Sequence, residues 1–271
     1  MDIIQFNKNK KPASIEEFKI WFNQKFNYSP AHYEGYYQMC TTKLRETFTN
    51  SPFWKAVAKE LPNINDKYQI EKGYQLLTTT DAPEIYIKSL DSLIIKAYRK
   101  NILNNTCFPD QPKYGWISQH NWFTNINDIL RTTIVVKYID GVEFLLKELS
   151  VIAERNSCKL DYSLEAREEG YYAAHAGVKI RLKYFNISFL QEDIELNVEI
   201  QVTTELQEII KMLLHKHYEE NRKKMTPPNY KWQWDYKCDE FASNYLGHIV
   251  HYVEGMIVEI RDKQNKNNIQ L

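Results

Sequence analysis

Residues 194–202 read IELNVEIQV and indicate the fold more directly than any other stretch of the chain. Apolar side chains occupy every second position, so a β-strand would place all of them on one buried face. Glu195 and Glu199 would then lie on the opposite face, together with two amide side chains. Such a strand either forms a half-exposed part of a sheet or lines a site with its polar face, and this segment alone leaves both interpretations open.

Strand and helix patterns alternate around this segment. Alternating or β-branched runs predict strands at 132–138, 158–164, 171–182 and 194–202. Apolar residues at helical spacing predict helices at 89–101, 141–155, 204–220 and 239–263. This alternation predicts an α/β fold, with a sheet flanked by helices and helical extensions at both ends. We expect an N-terminal helical extension at 1–73, a central domain at 74–225 and a C-terminal helical extension at 226–271.

The N-terminal third of the chain predicts three helices. Ser14 and Glu17 form a capping-box pattern before an aromatic helix, and residues 33–48 predict a second helix. A Ser-Pro pair at 51–52 opens a third helix. We expect that helix to stop before Pro62, because proline lacks the N–H group that a helix interior needs.

Composition limits the classes of protein that fit. The 271-residue chain has 35 Lys and Arg residues against 35 Asp and Glu residues, so its formal net charge is zero. Zero net charge argues against a protein that coats nucleic acid or an anionic membrane through bulk charge, but it is compatible with a local basic site. The four cysteines form no CxxC pair, and we find neither a signal peptide nor an apolar run of bilayer length. We therefore expect a cytoplasmic protein with reduced thiols.

Two groups of side chains could carry chemistry. Asp128 precedes the strand at 132–138, and a carboxylate there could share a divalent ion with a carboxylate on a neighbouring strand. The alternative for Asp128 is a capping role in a turn. Tyr171 and Tyr172 follow Gly170, and tyrosine rings are good platforms for a nucleobase. The alternative for this pair is a turn followed by core aromatics.

The order of these features along the chain is more specific than any one of them. Four motifs follow one another: Lys88-Ser89-Leu90-Asp91-Ser92 with Lys96; Asp128-Ile129-Leu130-Arg131; Arg167 with GYYAAH at 170–175; and EIQVTT at 199–204 with His215. In type, order and spacing these motifs resemble the RelA/SpoT synthetase domain, over residues 86–218.

The resemblance implies a nucleotidyltransferase-like fold with a mixed β-sheet, and a pyrophosphokinase that moves the β,γ-diphosphate of ATP to a ribose 3′-hydroxyl. It also implies that Asp128 and Glu199 are the catalytic pair that binds Mg²⁺, with Glu199 placed to accept the 3′-hydroxyl proton. The residues implied at the phosphates of ATP are Lys88, Lys96 and Arg167, and we also expect Tyr86, Arg99 and Arg131 to bind ATP. Those implied at the acceptor are Tyr171, which would stack on the acceptor base, His175 and His215. A cationic cluster with a metal suits this reaction, because transfer of a charged diphosphate depends on alignment and charge neutralisation.

Departures from the family pattern fall mainly on the acceptor side. Tyr86 stands where the family usually has arginine, and Arg131 stands two residues earlier than the family's arginine. Tyr172, Ala173 and Thr203 also replace the residues usual in the later motifs. This combination resembles the toxic small alarmone synthetases, a subgroup that includes enzymes which pyrophosphorylate the 3′-CCA end of tRNA, usually beside an antitoxin.

Three functional hypotheses follow. The first is a tRNA-pyrophosphorylating toxin with a cognate antitoxin protein as a partner. The second is an alarmone synthetase whose acceptor is GDP, GTP or an adenine nucleotide. The third is a catalytically silent module that binds nucleotides or a partner protein. We expect a synthetase without hydrolase activity, since no HD metal motif precedes the domain, and we expect no membrane partner.

Two further patterns leave alternatives open. His248, His251 and Glu254 recur every three residues and could either bind a transition metal or form the polar face of a helix. The basic run at 222–224, with Lys216 and nearby tryptophans, could contact a tRNA acceptor stem or be a solvated helix end.

Overall fold

The computed structural model describes residues 9–28, 30–186, 188, 190–221 and 231–269, with the backbone alone at 30–32, 214–221 and 266–269. The helices are α1 (Ile15–Phe26), α2 (Pro30–Thr49), α3 (Pro52–Lys72), α4 (Leu90–Tyr98), α5 (Trp122–Asn125), α6 (Ile139–Arg155), α7 (Glu205–Asn221) and α8 (Asp239–Ile269). The strands are β1 (Tyr86–Ile87), β2 (Leu130–Val136), β3 (Lys159–Ala166), β4 (Tyr172–Phe185) and β5 (Gln191–Thr204). A π-helical turn at Arg99–Leu103 continues α4, and a short 3-10 turn at Trp232–Trp234 precedes α8.

The first helix begins at the predicted capping pattern. Ser14 Oγ accepts a hydrogen bond from the Glu17 amide at 3.2 Å, and Glu17 Oε2 accepts one from the Ala13 amide at 2.9 Å. Phe18 and Trp21 on the inner face of α1 are fully buried. The first two predicted helices are therefore confirmed, and α2 extends beyond both predicted ends.

The third helix continues through Pro62 to Lys72, so the prediction that it stops before Pro62 is wrong. Pro62 is exposed, but its neighbours Leu61 and Ile64 are buried, as is Tyr68 one turn further along. Burial of one such side chain contributes about 1.5–3 kcal/mol, whereas an interior proline costs about 3 kcal/mol. Burial of the apolar face of α3 therefore outweighs the cost of Pro62, which removes one helical hydrogen bond and whose ring crowds the preceding turn.

We predict that Pro62→Ala raises the free energy of unfolding by about 1–3 kcal/mol, because alanine restores the missing helical hydrogen bond. Urea denaturation followed by circular dichroism measures the change. Pro52→Ala is the matched control: Pro52 is also exposed but occupies the first position of α3, where proline is tolerated, so its change should stay within about 0.5 kcal/mol. A less stable Pro62→Ala protein would contradict this explanation of the helix.

The strand order of the sheet is β1-β2-β5-β4-β3, which makes β5 the middle strand. All four predicted strands are present, and β2 begins at Leu130, two residues earlier than predicted. β1 is an additional strand that pairs antiparallel with β2 and sets Tyr86 opposite Arg131. The five-stranded mixed sheet flanked by helices confirms the predicted fold class.

The predicted helices of the central and C-terminal regions are also confirmed. α4 begins at Ser89, whose hydroxyl accepts a hydrogen bond from the Ser92 amide. α6 buries a continuous apolar face and packs against α3, β3 and α8. α8 extends to Ile269, six residues past the predicted end at 263. No helix among the described residues combines the length and the apolar character that a membrane span requires.

The chain divides into two compact units. The first consists of Met1–Ser51, Ile85–Arg131 and Val178–Glu199. The second consists of Pro52–Glu84, Thr132–Gly177 and Ile200–Leu271. Aromatic rings fill much of the core of the first unit, where Trp122 makes edge contacts with Tyr28, Tyr33 and Tyr37. α3, α6, α7 and α8 belong to the second unit.

Candidate functional site

A buried ion-pair cluster lies in the first unit and joins three of the predicted site residues. Asp128 stands in the turn before β2, Lys88 directly follows β1, and Lys96 lies on α4. Lys88 Nζ is 2.9 Å from Asp128 Oδ2, and Lys96 Nζ is 2.8 Å from Asp128 Oδ1. The Lys88 and Asp128 side chains are only 11% and 13% exposed. The structure therefore brings the first two family motifs together at one carboxylate.

Local structure explains why these residues meet. The Lys88 amide donates a hydrogen bond to the Ile129 carbonyl at 2.9 Å, which continues the β1–β2 pairing one residue further. Ile129 and Leu130 are fully buried and hold the strand entrance in the core. The N-cap at Ser89 then starts α4, and its second turn carries Lys96.

Charge and burial act against each other in this cluster. Burial alone would raise the pKa of Asp128, but the ion pairs with Lys88 and Lys96 outweigh burial and lower that pKa. Burial lowers the pKa of Lys88, and the attraction of Asp128 only partly offsets this effect. The cluster thus keeps Asp128 ionised and holds cations close to it.

Two residues that the sequence did not assign to the site interact with this cluster. The Tyr37 hydroxyl donates a hydrogen bond to the Lys88 carbonyl at 2.6 Å, and burial followed by the charge of Asp128 raises the pKa of Tyr37. Lys100 lies one turn after Lys96, and burial followed by the repulsion of Lys96 lowers its pKa. The sequence signal for Lys100 was its position four residues after Lys96 in the predicted helix at 89–101. No sequence signal pointed to Tyr37, because it is 51 residues away from Lys88.

Tyr86 and Arg131 form a cross-strand pair beside this cluster. They occupy opposite positions in the β1–β2 ladder, so their side chains project from the same face of the sheet. Tyr86 is 53% exposed and Arg131 is exposed as well. Arg99, the other arginine predicted near ATP, is exposed at the end of α4 and forms no ion pair with another described residue.

Oxygen atoms of the first unit suit a hard divalent cation. The contact of Lys96 with Asp128 Oδ1 is an ion pair without hydrogen-bond geometry, so this buried oxygen keeps an unsatisfied acceptor position. Glu199 is half-buried on the polar face of β5, and two residues before it Asn197 Oδ1 is buried without a hydrogen-bond partner among the described residues. Carboxylate and carbonyl oxygens are the ligands that Mg²⁺ takes in proteins. In chemical type, these donors fit the predicted metal.

A second cluster surrounds Tyr171 in the second unit. The turn between β3 and β4 closes through a hydrogen bond from the Arg167 amide to the Tyr171 carbonyl at 3.0 Å, with Gly170 at φ 73°. The Arg167 guanidinium lies 5.2 Å from the centre of the Tyr171 ring and is paired with Glu165 Oε2. Arg167, predicted at the ATP, is thus in contact with the predicted acceptor tyrosine.

Hydrogen bonds fix the orientation of the Tyr171 hydroxyl. Lys211 Nζ donates to Gln201 Oε1 at 3.2 Å, which turns the amide nitrogen of Gln201 toward the hydroxyl of Tyr171. The Tyr171 hydroxyl accepts from that nitrogen and forms a second hydrogen bond with His175 Nε2 at 3.0 Å. The structure therefore brings Tyr171 and His175 together as predicted, and it adds Gln201 and Lys211. The position of Gln201 on the same strand face as Glu199 was the sequence signal for it.

The remaining candidates have other outcomes. In the part of the chain that the structure describes, no group of three or more His, Cys, Asp or Glu side chains could hold a metal, so the metal interpretation of His248, His251 and Glu254 is wrong. These three side chains instead contact Tyr172 and Thr204 and pack α8 against β4 and β5 within the second unit. The side chain of His215 and the basic run at 222–224 lie outside the described residues.

Comparison with known proteins places the fold in a class. No family model and no curated protein sequence matches the chain. Solved structures do match, and they show that the chain has the fold of the small alarmone synthetases. The resemblance found in the sequence motifs is therefore confirmed at the level of the fold.

Two of the matching structures are of small alarmone synthetase 1 from Bacillus subtilis. One has a TM-score of 0.51 at 17% identity and covers 82% of this chain and 97% of that chain. The other, bound to its product pppGpp, has a TM-score of 0.50 at 19% identity and covers 81% of this chain and 97% of that chain. A GTP pyrophosphokinase family protein from Streptococcus pneumoniae matches with a TM-score of 0.48 at 15% identity, over 83% of this chain and 97% of that chain.

We predict a pH-dependent loss of stability in Asp128→Asn. Because the folded protein lowers the pKa of Asp128, its carboxylate stabilises the fold above the ordinary aspartate pKa of about 3.9, and this contribution is lost as the pH falls through the lowered value. Asp128→Asn should therefore be less stable than the unmodified protein at pH 7, and the difference should shrink by pH 3. Urea denaturation at several pH values measures it.

Asp161→Asn is the control for this series. Asp161 is exposed on β3 and pairs with Lys159 at the surface, where an ion pair contributes little. Its stability difference should be small at every pH. If Asp128→Asn lowers the free energy of unfolding as much at pH 3 as at pH 7, the ion pairs with Lys88 and Lys96 do not stabilise the charged carboxylate.

Proposed function

We propose that this chain is an ATP-dependent pyrophosphokinase that transfers the β,γ-diphosphate of ATP to a ribose 3′-hydroxyl. The single observation that carries the proposal is the buried cluster in which Lys88 and Lys96 share the carboxylate of Asp128. Buried cations next to an ionised carboxylate suit a polyphosphate with a metal, and the fold of the small alarmone synthetases supports this use. Residues 74–225 would carry the transfer activity.

Each cluster has a proposed role. Asp128 and Glu199 would hold Mg²⁺, which supplies charge neutralisation at the phosphates when it is bound. Lys88, Lys96 and Arg131 would bind phosphate oxygens of ATP: Asp128 already holds the two lysines together, and the charge of Arg131 acts on Lys88. Glu199 would accept the proton of the attacking 3′-hydroxyl.

The acceptor cluster would act through stacking. A nucleobase placed on the Tyr171 ring would meet an aromatic plane whose hydroxyl is fixed by Gln201 and His175. Arg167 lies against the same ring and adds a positive charge next to the acceptor. A fixed ring favours transfer because the acceptor hydroxyl loses less freedom when it reacts.

The 3′ end of tRNA is the acceptor that we propose first. Tyr172, Ala173 and Thr203 depart from the family pattern on the acceptor side, and the toxic subgroup resembles the chain in this respect. A tRNA end presented to one local site is compatible with a net charge of zero. In that case a cognate antitoxin protein is an expected partner.

A guanine nucleotide is the second candidate acceptor. One of the similar solved structures is bound to its product pppGpp, and that protein shares the fold over 81% of this chain. The same roles for Asp128, Glu199 and Tyr171 would apply to GDP or GTP. The two candidates differ in the stacked base, which is adenine at the 3′-CCA end of tRNA and guanine in GDP or GTP, and in what is attached to that nucleoside.

A labelling experiment separates these candidates. The purified chain is incubated with Mg²⁺ and γ-labelled ATP, with deacylated tRNA in one reaction, GDP or GTP in a second and an adenine nucleotide in a third. We expect label in tRNA. Label in a free nucleotide would support an alarmone synthetase instead. The absence of label from every acceptor, together with ATP binding, would leave a catalytically silent module.

We predict that Asp128→Ala and Glu199→Ala each lower the rate of transfer by about 10²-fold or more, because a metal ligand and the general base are lost. The initial rate of label transfer is the measurement, with thermal unfolding as a check that the variants fold. Glu195→Ala is the matched control: Glu195 lies on the same face of β5 but is exposed, so transfer should be unchanged. Equal rates for Glu199→Ala and Glu195→Ala would contradict the proposed role of Glu199.

We also predict that Tyr86→Ala raises the KM for ATP by about 5- to 150-fold, because a stacked aromatic ring contributes about 1–3 kcal/mol per base. Tyr86→Arg should retain most of the affinity, since an arginine opposite Arg131 can also stack on adenine. Steady-state kinetics at saturating acceptor measure both variants. Tyr114→Ala removes a tyrosine that is 85% exposed, and it should leave the KM for ATP unchanged. If Tyr86→Ala does the same, then Tyr86 does not contact the nucleotide.

A further inference from the structure

The backbone of α8 approaches the turn before Tyr171 unusually closely. A Cβ atom at Gly247 would lie only 2.2 Å from the Gly170 carbonyl oxygen, and one at Gly170 would lie 2.2 Å from the Asn244 carbonyl oxygen. Any side chain at either glycine would therefore force the two backbones apart. Gly170 also needs its φ of 73°, which glycine adopts without strain. The close contact between α8 and this turn thus requires glycine at both positions.

Two histidines of α8 contact residues on either side of Tyr171 in the sequence. His248 Nε2 lies 2.9 Å from the Glu168 carbonyl, which can only accept, so this nitrogen carries the proton. His248 Nδ1 then accepts a hydrogen bond from the Tyr172 hydroxyl at 2.7 Å. The ring of His251 stacks on the ring of Tyr172, with centres 3.6 Å apart and planes 5° apart. α8 therefore contacts the residues immediately before and after Tyr171.

The far part of α8 is anchored within the same unit. Arg261 is 4% exposed and forms hydrogen bonds with Asp140 Oδ2 at 2.7 Å and with the Tyr68 hydroxyl at 2.9 Å. Glu254, one turn after His251, accepts a hydrogen bond from Thr204 at the end of β5. A continuous helix that is held at both positions cannot slide past the turn without breaking buried polar contacts.

We propose that α8 positions the acceptor tyrosine, with Gly247 and His248 as positioning residues that act through the turn and Tyr172. This inference rests on the proposed role of Tyr171 in acceptor binding. Gln201 and His175 fix the hydroxyl of Tyr171, whereas α8 fixes the backbone from which its ring projects. The acceptor site then depends on a helix that carries none of the family motifs.

Gly247→Ala tests this role, and Gly255→Ala is its matched control. A Cβ at Gly255 on the same helix meets no atom within 4 Å, so both variants make the same chemical change and only one of them disturbs the turn. Hydrogen exchange of the peptide that spans 166–172 is the first readout. We expect exchange there to be at least about tenfold faster in Gly247→Ala, with no change in Gly255→Ala.

Kinetics supply the second readout. In Gly247→Ala, kcat/KM for the acceptor should fall by about 10- to 100-fold, while the KM for ATP stays within about twofold, because a displacement of the turn misplaces only the acceptor. His248→Ala should show the same split, and His248→Gln should recover part of the loss, since an amide can replace both hydrogen bonds of the imidazole.

The outcomes separate this inference from the proposed function. Unchanged exchange at 166–172 in both Gly247→Ala and His248→Ala would overturn the positioning role, whatever the activity. Faster exchange with unchanged acceptor kinetics would overturn it as well. If the unmodified protein transfers no label to any acceptor, the proposed function fails, and faster exchange in Gly247→Ala would still show that α8 holds the turn.

Discussion

The two-residue period of β5 is the constraint on which the rest of the structure depends. β5 is the middle strand of the sheet, and its apolar side chains between Ile194 and Val202 are buried. The same period places Glu199 and Gln201 on the opposite face. Glu199 belongs to the unit that contains the Asp128 cluster, and Gln201 belongs to the unit that contains the Tyr171 cluster. A shift of one residue would bury both polar side chains and expose the core face.

Burial makes the charges of the first unit effective. A carboxylate as buried as that of Asp128 would favour its neutral form if no cation were near. Ion pairs with two lysines keep Asp128 ionised. Each lysine is in turn held by its own element, Lys88 by the β1–β2 pairing and Tyr37, and Lys96 by α4. A chain with no net charge can in this way present a strong local field. Neutrality excludes a protein coated with positive charge but leaves room for one phosphate site.

Sequence reasoning succeeded where the physical cause is local. The cap at Ser14, the cap at Ser89 and the alternation of β5 each depend on a few consecutive residues, and all three are present. It failed at Pro62, because the apolar face of α3 outweighs a local rule about proline. It missed Tyr37, because the contact with Lys88 joins positions 51 residues apart. It missed Lys211, because the contact with Gln201 depends on how α7 leaves the end of β5.

The sequence by itself determined the order of strands and helices, the motifs and the residue types that could bind phosphate, metal and a base, since these follow from periodicity and local chemistry. Only the tertiary structure decided which of them meet. The shared carboxylate of Asp128, the hydroxyl network of Tyr171 and the approach of Gly247 to Gly170 are contacts across many residues of chain. Such contacts exist only when the sheet and its helices pack, because burial supplies the free energy that brings distant segments together.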